Sequence, residues 1–257
     1  MSRIPTDERH REILSLVRLR GYVSNEELAQ RLQVAVQTIR RDVNYLAGAG
    51  LVTRHHGGAG LVSSIENIAY TERQILNRRE KEAIGQLAAR DIPDNSSLFI
   101  NIGTTTEAFA RALLRHRALR VITNNLHVAA ILSPQADFRV VIAGGSVRAH
   151  DGGITGPTAT AMIDQYRADY GVIGISGIEE DGTLLDFDLD EIDLAQAIMR
   201  NARRIFLLAD HTKFARRPMG RVGNLSHIHA LFTDRAPPPA IRALLDAHQV
   251  ALHIAEP

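Results

Sequence analysis

A chain of 257 residues with 45% hydrophobic content holds enough apolar material for two domains, one small and one with a sizeable core, and leaves no comfortable room for a third. Zero cysteines exclude disulfides and thiolate metal sites, and the eleven histidines form no His-x-x-x-His pair or carboxylate-rich cluster, so neither a metal nor another cofactor is expected. The formal net charge is only +1, yet residues 1–60 carry nine arginines against six carboxylates, which concentrates positive charge at the amino-terminal end, where a polyanion would be held.

In chain order, Ile13, Leu14, Leu16 and Val17 give a first amphipathic helix that Gly21 can end in a left-handed cap. Ser24, followed three positions later by Glu27, reads as a capping box for a second helix, whose apolar face continues through Leu28 and Leu32 into a short turn at Gln33-Val34-Ala35. In the third helix Val36, Ile39, Val43 and Leu46 fall on one apolar stripe, so Gln37, Thr38, Arg40, Arg41 and Asn44 project outward. These side chains suit DNA: arginine reads guanine, glutamine reads adenine, and threonine meets a phosphate or a thymine methyl. Residues 51–54 and 59–62, joined through Gly57 and Gly58, read as a two-stranded ribbon with a basic tip at Arg54, His55 and His56. Residues 9–47 alone also fit an ordinary three-helix unit with solvated arginines. The cationic polar face, the three-residue turn and the basic glycine hairpin together point to a winged helix-turn-helix that binds double-stranded DNA.

The expected organisation is a DNA-binding domain over 1–60, a linker over 61–80 and an α/β domain over 81–257. The charged run from Glu72 to Lys81 reads as a solvated helix face, and Ile84, Leu87 and Ala88 as an amphipathic helix ending near Pro93. Beyond it, residues 98–100, 121–123, 138–142, 171–175 and 205–208 are short apolar runs with helical patterns between most of them, the signature of a parallel sheet. Met1 to Pro5 lacks the apolar core of a signal peptide, and no apolar run approaches the roughly 20 residues that span a bilayer, so a cytoplasmic location is expected.

Each strand-like run is followed by a small polar loop. In an open α/β sheet those loops share the carboxyl edge, where ligands bind at a topological switch. Gly103, Thr104, Thr105 and Thr106 lead into a helix and can offer amides and hydroxyls to a phosphate, although one threonine can equally be a plain cap. Asn124, Asn125, Gly144, Gly145, Gly174, Ser176 and Gly177 line the neighbouring loops, with Arg148 and Lys213 as counter-charges for an anion.

Thr38-Ile39-Arg40-Arg41-Asp42, taken with Arg54-His55-His56-Gly57-Gly58-Ala59, resembles the signature of the DeoR family of bacterial transcriptional regulators. The resemblance runs from about Arg9 to the prolines at 237–239 and includes Asn101-Ile102-Gly103-Thr104-Thr105, Thr123-Asn124-Asn125, Asp151-Gly152-Gly153, Gly174-Ile175-Ser176-Gly177 and Lys213-Phe214. It implies a parallel-sheet, phosphosugar-isomerase-like α/β sensor domain behind the winged helix-turn-helix. The later stretches are similar to the branch of the family that represses glycerol-metabolism genes. They imply release from the operators by glycerol 3-phosphate or a related phosphorylated metabolite, and assembly into a dimer or tetramer. Two positions depart from the family: Ala35 stands where a serine cap is usual, and Asn101 where aspartate is frequent.

The competing reading is a phosphosugar isomerase with an accessory helical domain. Asp186, Asp188, Glu191 or Lys213 would have to serve as its base. Glycerol 3-phosphate has no carbonyl to enolise, and sensing requires only binding, so a non-enzymatic repressor is the expected function.

Overall fold

The computed structural model describes residues 6–20, 22–48, 51–55, 57–60 and 70–256. The proposed cap Gly21, the wing residue His56 and the stretch 61–69 lie outside these described residues. The chain divides into two compact units, Met1–Ile68 and Ala69–Pro257.

The first unit carries α1 (Thr6–Arg20), β1 (Tyr22–Ser24), α2 (Asn25–Arg31), α3 (Val36–Gly48), β2 (Thr53–His55) and β3 (Gly58–Gly60). Its core is built from the expected stripes: Ile13 and Val17 of α1, Leu28 of α2, and Ile39, Val43 and Leu46 of α3. Ser24 caps α2 by accepting the Glu27 amide at 3.1 Å. The wing differs from the expected two-stranded ribbon, because β1 also pairs antiparallel with β3 and the order is β1-β3-β2. That third strand ties the start of α2 to the wing, with the Asn25 amide donating to Gly57 O at 2.7 Å.

The second unit opens with α4 (Tyr70–Ile75) and α5 (Arg78–Arg90), so from Tyr70 onward the stretch expected as a linker is helical and part of this unit. There follow β4 (Ser97–Ile100), α6 (Thr104–Ala112), β5 (Arg120–Thr123), α7 (Leu126–Leu132), β6 (Arg139–Ile142), β7 (Ser146–Val147), β8 (Ile154–Thr155) and α8 (Pro157–Ile163). The remainder is β9 (Ala168–Gly174), β10 (Gly177–Ile178), β11 (Thr183–Asp186), α9 (Leu189–Asn201), β12 (Ala202–Leu208), β13 (Gly220–Asn224), β14 (Ala230–Thr233), α10 (Pro239–Ala247) and β15 (Ala251–Ile254).

Seven strands form one parallel sheet in the order β15-β14-β12-β9-β4-β5-β6. Alternate residues of each strand feed the two faces. Leu98 and Ile100 pack with Ile84, Phe109 and Val128 beneath α5, α6 and α7. Phe99 packs on the opposite side with residues of α8, α9 and α10 such as Ile163, Ile198 and Ile241. The chain leaves β4 outward through β5 and β6, then returns to β9 on the other side of β4. The strand order therefore reverses between β4 and β9, and a crevice opens at their carboxyl ends. A small antiparallel sheet, β10-β11-β13, stands beside that edge.

Candidate functional site

In the first unit, Gln37, Arg40, Arg41 and Asn44 are exposed on α3, Thr38 is half-buried, and Ile39, Val43 and Leu46 face the core. Arg54 on the wing is also exposed and donates to Asn44 Oδ1 at 3.3 Å. Wing and helix thus present one continuous polar surface. The side chain of His55, like all of His56, lies outside the described residues. Ala35 accepts the Thr38 amide at 2.8 Å through its carbonyl, but its methyl cannot cap the first turn.

Asp42 has a role that reading the motif did not assign. It turns inward, and Arg9 donates to its two oxygens at 2.6 and 3.0 Å while His10 Nε2 sits 3.0 Å away. Burial pushes the carboxyl up, but the bonds from Arg9 and His10 outweigh it and hold Asp42 below the usual range. The His10 ring stacks on Tyr45 with centroids 5.1 Å apart. Helix α1 therefore grips α3 at two neighbouring positions, Asp42 and Tyr45, beside the displayed arginines. Its position three after Ile39 already places Asp42 on the inward face, which is the signal that could have found it.

In the second unit, Gly103 has φ +146°, a conformation side chains rarely adopt, and turns the chain from β4 into α6. Among the described residues no side chain caps that helix, so its first-turn amides, those of Thr104 to Thr106, are presented at the positive helix end. Thr105 is buried and Thr104 half-buried. The Thr106 hydroxyl donates toward the carbonyls of Asn101 and Gly103 at 2.7 and 2.8 Å and so secures the loop. Asn101 is used likewise, its Oδ1 accepting the Ile102 amide at 2.8 Å. Gly174 backs onto the Ile102 carbonyl and Gly153 onto the Ile102 side chain, which brings three loops together.

The remaining expected residues divide by what already holds them. Asn125 caps α7 through its Oδ1, 2.8 Å from the His127 amide, and its Nδ2 lies 3.4 Å from Glu107 Oε1. Asn124 donates to the Ile154 carbonyl at 3.3 Å, whereas its buried Oδ1 has no partner among the described residues. Ser176 donates to Asp186 at 2.9 Å, and Gly177 begins β10 beside it. Gly144 and Gly145 are exposed in the turn after β6. Arg148 is not the free counter-charge the sequence led us to expect: it pairs with Asp151 at 2.8 Å, with Asp188 at 2.7 Å and with Glu191.

Lys213 does stand at the edge, on the turn opened by Asp210, and burial brings it down to about 8. Burial pushes Asp210 upward, but the Lys213 charge and the Thr212 hydroxyl outweigh it and hold that carboxyl at about 2. Asp234, at the end of β14, anchors the same turn by accepting the His211 amide at 2.7 Å.

Several groups at this edge come from the stretch expected as a linker. The Tyr70 hydroxyl donates to the Glu107 carboxylate, 2.9 Å from each oxygen, and its ring stacks on His127 at 5.1 Å. Arg73 Nη2 lies 3.4 Å from Asp151, and Asn77 Nδ2 lies 3.3 Å from Asp210. Lys81 is buried beneath them, and burial brings it down to about 8. A charged run hides such a residue, yet Lys81 shares the helical stripe of Ile84, Gly85 and Ala88, all buried. That periodicity was the available signal.

Known proteins resemble the chain in both units. Residues 9–65 match the DeoR-like helix-turn-helix domain and residues 76–235 the DeoR C terminal sensor domain. The chain is 47% identical over 247 residues to the glycerol-3-phosphate regulon repressor of Escherichia coli (strain K12), covering 96% of this chain and 98% of that protein. It is 44% identical over 252 residues to the HTH-type transcriptional repressor CsqR of the same organism, covering 98% and 97%. Among solved structures, ribose 5-phosphate isomerase A from Methanocaldococcus jannaschii aligns with TM-score 0.40 and 16% identity, over 54% of this chain and 55% of that one.

Proposed function

The chain belongs to the DeoR family of transcriptional regulators, and from that premise we propose that it represses genes of glycerol and glycerol 3-phosphate metabolism and leaves its operators when glycerol 3-phosphate binds the second unit. The observation that carries this reading is the uncapped amino terminus of α6 at the β4/β9 reversal with Lys213 at the same edge. Amides at a positive helix end with a nearby ammonium suit a phosphate dianion. The unpartnered Oδ1 of Asn124 suits a ligand hydroxyl.

On the DNA side, Gln37, Thr38, Arg40, Arg41 and Asn44 enter the major groove, and Arg54 with His55 and His56 follows the backbone. A homo-oligomer sets two such units about one DNA turn apart on a near-palindrome. Effector binding favours an arrangement that cannot hold both half-sites, since a ligand with equal affinity for the two states would shift nothing.

Replacing Thr104 and Thr105 by valine keeps shape and removes two hydroxyl donors. Each lost hydrogen bond to a charged phosphate is worth about 1.5 to 3 kcal/mol, so the double variant should bind glycerol 3-phosphate at least about a hundredfold more weakly. It should grip operator DNA like the parent and resist release, the behaviour of a super-repressor. Parental affinity and release would place the phosphate elsewhere. Incubation with ribose 5-phosphate tests the isomerase reading in parallel, and turnover to a ketose at an enzymatic rate would establish it instead.

A further inference from the structure

The four residues of β5, about 10 Å of strand, separate the effector edge from a second charged cluster at the amino-terminal ends of the strands. Arg120 opens β5 and Arg139 opens β6, and the two stand in direct register in the parallel pairing of those strands, about 4.8 Å apart. Ile122 and Val141, two positions further on, pack on the face of the sheet that holds Phe99, so by alternation both guanidinium groups belong to that face as well. Like charges side by side on neighbouring strands repel. Both arginines are exposed, and neither guanidinium has a hydrogen bond or ion pair among the described residues. With Asn95, Ser97, Asp137 and Asp169 they border a cavity of about 490 Å³, within the size range of small-molecule sites. Its carboxylates are engaged elsewhere: Asp137 accepts the Ala118 amide at 2.9 Å, and Asp169 accepts the amide and the hydroxyl of Ser97 at 3.0 and 2.6 Å. The chain enters β5 through Ala118 at φ +54°, a conformation side chains rarely adopt, and the bond to Asp137 fixes that turn at the rim of the cavity. Backbone held in such a conformation is retained most often where a binding site uses it.

We propose that this cavity is a second ligand site, at the opposite end of the strands from the effector edge, and that it takes the monophosphate of a five- or six-carbon sugar. Two guanidinium forks on adjacent strands can each offer parallel donors to one phosphate dianion, which also removes the repulsion between them. Asp137 and Asp169 keep acceptor lone pairs for sugar hydroxyls, and the Asn95 side chain offers both a donor and an acceptor. The same carboxylates disfavour a ligand that is anionic at both ends, so a sugar monophosphate fits where a diphosphate or a dicarboxylate does not. The volume leaves room beyond the phosphate for a ring of hydroxyls, more than a three-carbon phosphate fills. The two sites share no residue, so this one gives the chain a second chemical input whatever binds at the effector edge.

The test is hydrogen exchange on the full chain with ribose 5-phosphate, with glucose 6-phosphate, with the two free sugars and with inorganic phosphate, joined to calorimetry on variants. Slowed exchange over 117–121 and 137–141 with one or both sugar phosphates, and with none of the other three at equal concentration, is the expected result. No slowing there with either sugar phosphate would overturn the inference, as would slowing confined to 103–108, which would assign those ligands to the effector edge. Equal slowing with inorganic phosphate would overturn the choice of a sugar. Arg120→Gln and Arg139→Gln should each melt like the parent, since both side chains are exposed and unpartnered among the described residues. Each should weaken binding of the sugar phosphate by at least about tenfold, the loss of one charge-assisted hydrogen bond, and Arg139→Lys should recover part of it. Parental affinity in both glutamine variants overturns the assignment. Should either variant fail to fold, the exchange data on the parent chain decide.

Discussion

At the residue scale, two neighbours on α3 do opposite jobs. Arg40 is exposed and Asp42 is buried against Arg9 and His10. Arg40→Ala should leave the unfolding midpoint unchanged and weaken operator binding by roughly 1 to 3 kcal/mol, with specificity relaxed at one base pair if the contact is to a base edge. Asp42→Ala breaks the buried pair with Arg9 and should destabilise the first unit by about 3 to 5 kcal/mol, the scale of a broken buried pair. Denaturant unfolding and a DNA titration on both variants check this. Equal stability for the two would show that Asp42 does not anchor the helix. The outward set was legible because helical spacing separates it from the apolar stripe. The inward acid was not, because the motif that contains it is otherwise charged and reads as surface.

At the element scale, the strands of the large sheet that were legible, β4, β5, β6, β9 and β12, are apolar runs each followed by a polar loop. Ala230–Thr233 and Ala251–Ile254 were not read as strands. Neither holds the adjacent β-branched residues that mark β5, β6 and β9, and His253 interrupts the apolar run of β15. Tyr22–Ser24 was missed because three residues show no period and their pairing with β3 is nonlocal. The α4–α5 segment was legible as helix but not as part of the site, since exposed charge and charge folded over a crevice look alike in sequence. Its packing on α6 is tight at Gly85, where a Cβ would meet Phe109 N at 2.6 Å and Ala108 C at 2.7 Å. Alanine gains up to about 1 kcal/mol in helix propensity over glycine. Pushing two backbones apart typically costs about 1 to 3 kcal/mol or more, so the clash wins. Gly85→Ala should lower the unfolding midpoint of the second unit, and a raised midpoint would show that α5 has room to shift.

At the scale of the whole molecule, the effector edge should make release of DNA depend on pH. Burial and then the Asp186 charge push Glu191 up to about 7, while burial brings Lys81 and Lys213 down to about 8. A phosphate monoester has its second pKa at about 6 and is mostly dianionic by about pH 7. As pH rises from about 7 to about 9, Glu191 gains negative charge and the two lysines lose positive charge, so every step opposes a bound dianion. Arg73 and Arg148 keep their charge throughout, and Asp210, held at about 2, stays ionised. Glycerol 3-phosphate affinity, read by calorimetry, should therefore fall over that interval. A rise would mean that the phosphate lies away from these groups.

The central claim joins the two units: a small phosphate bound in one releases DNA from the other. It is tested most directly by fluorescence anisotropy of a labelled operator duplex, selected by the protein itself from a random-sequence pool and then titrated with glycerol 3-phosphate. The expected result is a saturable fall in anisotropy with glycerol 3-phosphate and none with glycerol or inorganic phosphate at equal concentration. An unchanged signal at glycerol 3-phosphate concentrations that calorimetry shows to saturate the protein would contradict the account.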